Sequence, residues 1–595
     1  MANKMSQQNR INFTIKIDGK EVKDDTIRIV SMTITKVISK IPVARLVLQD
    51  GDPEHQVFTI SDNKVFKMGA SIEISVGYDK SESIFKGIIT KQNVQANNMH
   101  SLLNVECRDA SYRTTLTPKN KHFANVTDSD ALTAILNEYH GLEKSVESSS
   151  IKHESLLQQE ITDWDFINLR AEANGKLVIV DNGKISIKKP GKDESNTSFI
   201  YGQNLLGLDI SMDVRDQLKG VDGMVWNCND QKNDNIKTKD AGECSFGNIE
   251  YSALVSVNKQ ENEVLHHSGT LANKEIEEIA TSLVKFSRLS KVQGTIKIQG
   301  DSSIKLDHIV KIEKGAKSFQ GKAYVSGIKH KIENGDWTTE LTLGLPNKRF
   351  ARRYNDIFGL PANGILAPVY GLQIGVVKKL EKDPQNNYRI FVYMPTINKP
   401  EEGIWCRKAS FYASSDVGAF FMPEINDEVV VGFINDDPRS PIILGSLYSS
   451  KHKPAIEIDD KNSIKNFVSK SKLKLSFNDK DKEITIETPG DSPQFVKLSI
   501  KGNSIEIVNA KANKIILDKN DIKISCEGNI TLDAKGSITL KAGNNLSVTT
   551  NNELSLSGMS AELKGKTKAT VEGAGTAEFK SNGITIIKGS LVNIN

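Results

Sequence analysis

From residue 522 onward, apolar side chains come in couples two residues apart, and each couple follows the last by eight residues. The series is Ile522/Ile524, Ile530/Leu532, Ile538/Leu540, Leu546/Val548 and Leu554/Leu556. Asn520, Gly528, Gly536, Asn544 and Asn552 keep the same period, and Gly and Asn are the residues that most readily take the left-handed conformation of a tight corner. The pattern resumes one residue out of phase at Ala561/Leu563, Ala569/Val571 and Ala577/Phe579, and closes with Ile584/Ile586 and Val592/Ile594. Residues two apart on a strand share a face. Each octad therefore predicts one short strand with two inward side chains, then a corner. A meander sheet also fits the couples, but it would present long, flat, unprotected edges. A β-helix wound from one chain needs a longer repeat, because that chain must supply every side. Three chains, each giving one octad per side, close a prism with every couple on the axis. The spacing predicts an intertwined, triple-stranded β-helix over residues 451–595, and hence a homotrimer, rising about 4.8 Å per layer.

Upstream, the periods differ. Residues 1–120 alternate apolar and polar in Phe13–Ile17, Ile27–Val30, Ala44–Leu48, Ile72–Val76 and Leu103–Cys107, with Asp18-Gly19 and Asp50-Gly51 as turns, a barrel-like antiparallel block. Residues 121–198 mix helix and strand. A short helix starts at an Asp/Ser cap near Asp128, and a second runs from Thr162 to the Asn174-Gly175 stop, with Trp164, Ile167 and Ala171 as its apolar stripe and Asp165 as capping partner. Residues 199–358 form a second barrel-like block with a helix from Asn273 to Leu289, whose stripe is Ile276, Ile279, Leu283 and Phe286. The Asn/Asp/Lys-rich stretch Asp230–Gly242 reads as an exposed loop. A linker, Gly359–Gly364, opens a compact block at 359–450. Beyond Lys451 aromatics nearly vanish. The fold class is mainly β.

Composition narrows the function without naming it. The chain has 595 residues, too many for one core, and a formal net charge of only +4, which argues against a dedicated nucleic-acid binder. Cys107, Cys228, Cys244, Cys406 and Cys526 form no Cys-x-x-Cys pair and read as reduced thiols of a protein that folds in the cytoplasm. Met1–Arg10 is polar, without the apolar core of a secretory signal, and no stretch approaches a membrane span. If the protein leaves the cell, its route does not read an amino-terminal signal.

The block at 359–450 resembles the OB-fold of VgrG and phage tail-spike proteins. The match runs through Gly375-Val-Val, Asp383-Pro384, Tyr388–Pro395, Trp405-Cys-Arg407, Pro423–Phe433 and Asp437–Tyr448. Asn426 stands where that family usually has Gly. Asp163–Phe166, Phe85-Lys-Gly87 and Trp337–Thr342 fit the same family's hub. The resemblance implies two hub barrels per chain, so that three chains present six units to a hexameric tail tube protein. It implies a baseplate setting, a PAAR-like tip protein on the needle's end, carried effector proteins, and assembly in the cytoplasm followed by injection through the contractile apparatus. The needle's final strands, Ile584, Ile586, Val592 and Ile594, are the expected tip-protein contact.

Other chemistry is sparse. His266-His267 lack a third ligand at local spacing and read as surface histidines before a turn. Asp307-His308 has no nucleophile elbow beside it, and Gly573-Ala-Gly575 is a needle corner without the context of a phosphate loop. Tyr388, Phe391, Tyr393, Phe411 and Tyr412 near Arg389, Arg407 and Lys408 resemble a stacking platform for nucleic acid, but barrel core and trimer contacts explain the same residues. No catalytic residue, metal or cofactor is expected, and the chain reads as no enzyme. A spike with hidden cell-wall hydrolase activity and a fibrous adhesin are the alternatives.

Overall fold

The computed structural model describes residues 11–594, except 24–26, 79, 98–100, 192, 239–245, 270, 398 and 400. Met1–Arg10, Cys244 and the end of the 230–242 stretch lie outside the described residues. The chain divides into two compact units between Leu447 and Tyr448.

The first unit is built on one 13-stranded sheet. The five expected amino-terminal strands are present as Asn12–Ile17, Arg28–Val37, Val43–Gln49, Ser71–Gly77 and Ser101–Arg108, joined by a long strand, Glu82–Ala96. Strand Gly321–Glu333 pairs on one side with Asp336–Leu343 and on the other with Arg28–Val37, in register from Gly327↔Val37 to Glu333↔Ser31. The two strand-rich blocks thus share a sheet. Their side chains still separate into two cores, one around Met32, Leu46, Ile74 and Phe85 and one around Ile296, Tyr324 and Leu341.

Residues between these blocks fold around helices Asp128–Asn137 and Asp163–Ala173. The first helix is capped by Thr127, one residue earlier than the Asp/Ser reading, with a full capping box to Asp130. In the second, Thr162 accepts from the Asp165 N–H as expected, but the Asp165 carboxylate takes the Thr162 hydroxyl, 2.5 Å away, so the box is half formed. Gly175 turns the chain at φ +61°. A two-stranded antiparallel sheet unseen in the sequence, Pro118–Thr127 with Lys152–Thr162, packs against both helices.

Two expectations shift. In helix Asn273–Leu289 the buried line is Ile276, Ala280, Val284 and Ser287, while Ile279, Leu283 and Phe286 are half-buried. Ala280 and Val284 sit against Val221, so the small Ala side chain selects the face that contacts the strand. The 230–242 stretch also contributes a strand, Lys232–Ile236, which pairs with Gly223–Asn227.

Residues 373–446 form a closed five-strand barrel in the order Gln373–Lys379, Ile390–Tyr393, Ile404–Lys408, Pro441–Ser446, Glu428–Phe433. Val377, Ile390, Val392, Cys406, Val429 and Ile443 fill it. Asn426 adopts φ +74°, the left-handed turn that Gly or Asn can supply.

In the second unit, seven strands from Ile464–Val468 to Asp521–Ser525 form an antiparallel meander in chain order. Ile522/Ile524, the first of the eight-spaced couples, belongs to its last strand, and Asn520 to the hairpin turn before it. No residue from 526 to 594 lies in a strand.

Candidate assembly surface

The meander's register sorts its side chains into two faces. Phe477, Ile484, Leu498, Ile505, Leu517 and Ile522 lie opposite one another in successive strands, and Phe467, Leu475, Ile486, Val496, Ile507, Ile515 and Ile524 form a second column two residues away. Both columns share a face, broken only where Lys465 faces Phe477. Asn466, Ser476, Thr485, Lys497, Glu506 and Lys523 fall on the reverse, with Ile516. Within the chain the apolar face is largely uncovered: Ile486, Ile507 and Ile524 are 56%, 45% and 55% exposed.

Downstream, the couples are more exposed still. Ile530, Leu532, Ile538, Leu540, Leu546, Val548, Leu554 and Leu556 are all more than half exposed, and so are Ile584, Ile586 and Ile594, with Val592 just under half. Bends fall at Glu527-Gly528, Lys535-Gly536, Gly543-Asn544, Asn551-Asn552 and Met559, then at Lys566-Thr567, Ala574-Gly575, Asn582-Gly583 and Ser590-Leu591. The backbone therefore turns every eight residues, with one seven-residue step that coincides with the slip between Leu554/Leu556 and Ala561/Leu563; the couples slip again between Ala577/Phe579 and Ile584/Ile586, where the bends keep their spacing. Among the described residues of 526–594, no backbone N–H donates to a backbone carbonyl. Extended backbone of this kind needs a ladder partner or water, and a surface so continuously apolar marks an interaction site.

The first unit closes two clusters of buried charge internally. Asp128 accepts from Arg170 Nε at 2.6 Å, Asn174 Nδ2 at 2.9 Å and the His153 ring at 2.8 Å. Arg170 Nη2 also reaches Glu275 at 3.1 Å, tying the helical insertion to helix Asn273–Leu289. Burial pushes the Asp128 carboxyl up, but these hydrogen bonds outweigh it and hold the carboxyl below its ordinary range. Asp163 likewise stays low despite burial, held by Lys119 at 2.6 Å and Tyr139 at 2.6 Å. Nothing in local spacing announces either cluster; the partners come together only through the fold.

The residues weighed for chemistry find structural settings. Asp307 accepts from Gly191 N at 2.7 Å and the Tyr324 hydroxyl at 2.5 Å and pairs with Lys188. His308 is half-buried, and that burial lowers its ring below the usual range. His266 and His267 lie on strand Glu263–His267, with His267 bonded to the Gly269 carbonyl at 2.9 Å. In the barrel, Phe391 packs on Trp405 with centroids 5.2 Å apart, and Arg389 is engaged by Asp383. Tyr388, Phe411 and Tyr412 are exposed, so the platform residues are split between barrel wall and rim. Gly573-Ala-Gly575 overlaps a corner of the octad series.

A 13-stranded sheet, a closed five-strand barrel and an uncovered aliphatic ladder follow one another along the chain. Residues 7–334 match the family of the Alg8 N-terminal domain, and residues 373–448 match the type VI secretion system/phage-baseplate injector OB domain. The type VI secretion system spike protein VgrG1b of Pseudomonas aeruginosa is 27% identical over 118 residues, covering 19% of this chain and 15% of the relative. The spike protein VgrG3 of Vibrio cholerae is 30% identical over 76 residues, 12% of this chain and 8% of the relative. The chain thus spans only a small part of the length of the curated relatives it matches. The tail protein of Neisseria meningitidis MC58 superposes with a TM-score of 0.42 at 13% identity, covering 57% of this chain and 98% of that one. The chain belongs to the Alg8 N-terminal domain family, and its barrel matches the type VI secretion system/phage-baseplate injector OB domain.

Proposed function

We propose that this protein is the trimeric hub and spike of a contractile injection machine, joining the tail tube to a puncturing needle. The observation that carries the reading is the aliphatic ladder of 526–594, exposed on a backbone that makes no ladder with itself. Burying one such side chain contributes about 1.5–3 kcal/mol, and one chain has nothing to bury it against. Three copies around a common axis supply both the apolar contacts and the missing ladder. The meander face earlier in the same unit carries the same two-residue couples at looser spacing and adds to the contact.

In this reading the first unit presents six related blocks per trimer to a hexameric tube protein within a baseplate. Ile584, Ile586, Val592 and Ile594 form the contact for a PAAR-like tip protein, and effector proteins travel with the spike. The work is mechanical, not catalytic. No helix among the described residues is long and apolar enough to cross a membrane, and export proceeds through the contractile apparatus. Light scattering on the purified protein tests the central claim: a mass three times that of one chain is expected, and a stable monomer overturns it. Negative-stain images should show a knob bearing a thin rod.

A further inference from the structure

Where the first strand block, the helical insertion and the second block meet, the first unit forms a partly open cavity of about 550 Å³. That is the size of a small-molecule site. Leu177, Phe286, Leu343 and Leu345 supply apolar wall. Two buried polar atoms of its lining residues have no hydrogen-bond partner. Asn168 is 98% buried (2% exposed), and its amide N–H₂ donates to the Trp164 carbonyl, but its Oδ1 accepts no hydrogen bond. Arg353 Nε is buried and donates none. Buried polar atoms left in this state cost about 1–3 kcal/mol each, so each calls for a partner.

The charge of the lining is lopsided. Lys40, Lys348 and Arg353 contribute cations, and among the described residues none of them pairs with a carboxylate in a salt bridge. Lys176 is already spent on the carbonyls of Glu147 and Ser148, at 2.6 and 3.0 Å. The one acid, Glu172, accepts the Phe350 N–H at 2.9 Å. Burial pushes its carboxyl up, against the pull of that N–H and of Arg349 and Arg353.

We infer that this junction binds a small organic anion: a carboxylate or phosphate held by Lys40, Lys348 and Arg353, an apolar body against Phe286 and Leu345, and a hydroxyl or amine donating to Asn168 Oδ1. Because the cavity touches all three hub blocks, the ligand would fasten them together. The inference does not depend on trimer formation.

Calorimetric titration of the full-length protein at fixed ionic strength tests it with four probes that share one ring. Mandelate carries a carboxylate and a hydroxyl, phenylphosphate a phosphate, phenylacetate a carboxylate alone, and benzyl alcohol no charge. Saturable binding of mandelate or phenylphosphate in the millimolar range is expected, and whichever binds more tightly identifies the anionic group. Phenylacetate should bind about fivefold more weakly than mandelate, the loss of one hydrogen bond. Lys40→Glu with Lys348→Glu, both at exposed positions, should weaken binding about tenfold while leaving the melting midpoint of the unliganded protein unchanged. Failure of both mandelate and phenylphosphate to saturate, benzyl alcohol binding as well as mandelate, or indifference to the charge reversal would each overturn the site.

Discussion

The two ends of this chain solve the same problem in opposite ways. The hub folds its apolar residues inward and closes its buried charges into clusters such as Asp128–His153–Arg170–Glu275. The segment from 526 to 594 turns its apolar couples outward and leaves its backbone unpaired. A hub element is stabilised by residues far away in its own chain, whereas in the proposed trimer a spike layer depends on residues at the same height in another copy. In that reading, stability of the first is a property of one molecule and stability of the second a property of an assembly.

The largest expected effect separates these two outright. Ile538→Asp with Leu540→Asp places six carboxylates in one layer of the proposed axis, where unpaired charge is prohibitive. The mass by light scattering should fall to one third while the hub's near-ultraviolet dichroism persists; an intact trimer breaks the comparison. The converse variant is Arg170→Ala. It leaves two buried carboxylates without their guanidinium, at a cost of about 3–5 kcal/mol, and should lower the hub's thermal midpoint in calorimetry without changing the oligomer.

Acid should sharpen the contrast further. The Asp128, Asp163 and Glu138 carboxyls are held below their ordinary range by their hydrogen-bonded partners, against burial. For such groups the unfolded chain binds more protons, so their contribution is complete above the unfolded pKa of about 4 and is lost as pH falls through and below it. The hub's melting midpoint should drop between neutral pH and pH ~3, and Asp128→Asn should flatten that drop. The smallest effect is expected of Thr127→Ala, which removes one helix cap worth about 1 kcal/mol and should shift only the hub transition.

Legibility in the sequence follows the same division. The octads and the OB barrel were readable because their signals are local: a fixed spacing in one, short motifs in fixed order in the other. The sharing of one sheet between hub blocks was not, since it rests on pairing Gly327–Glu333 with Ser31–Val37 across some 300 residues. Strand Pro118–Thr127 escaped notice because polar residues such as Lys119, Lys121 and His122 dominate it. The meander was obscured by turns of unequal length: Leu475/Phe477, Ile484/Ile486, Val496/Leu498 and Ile505/Ile507 are couples of the same kind, but their spacing alternates between nine and twelve residues. The Asp128 cluster draws on four separate elements, and no periodicity could have assembled it.

The seven-residue step between the bends at Met559 and Lys566 has a consequence for which molecules can share a spike. If identical chains wind together, the shortened repeat must occur in every copy at one level, and the layers beyond it are displaced relative to those before it. A sister chain lacking the step would match below that level and clash above it, its couples meeting corners. The irregularity would then act as a key for self-sorting, admitting only copies cut to the same pattern.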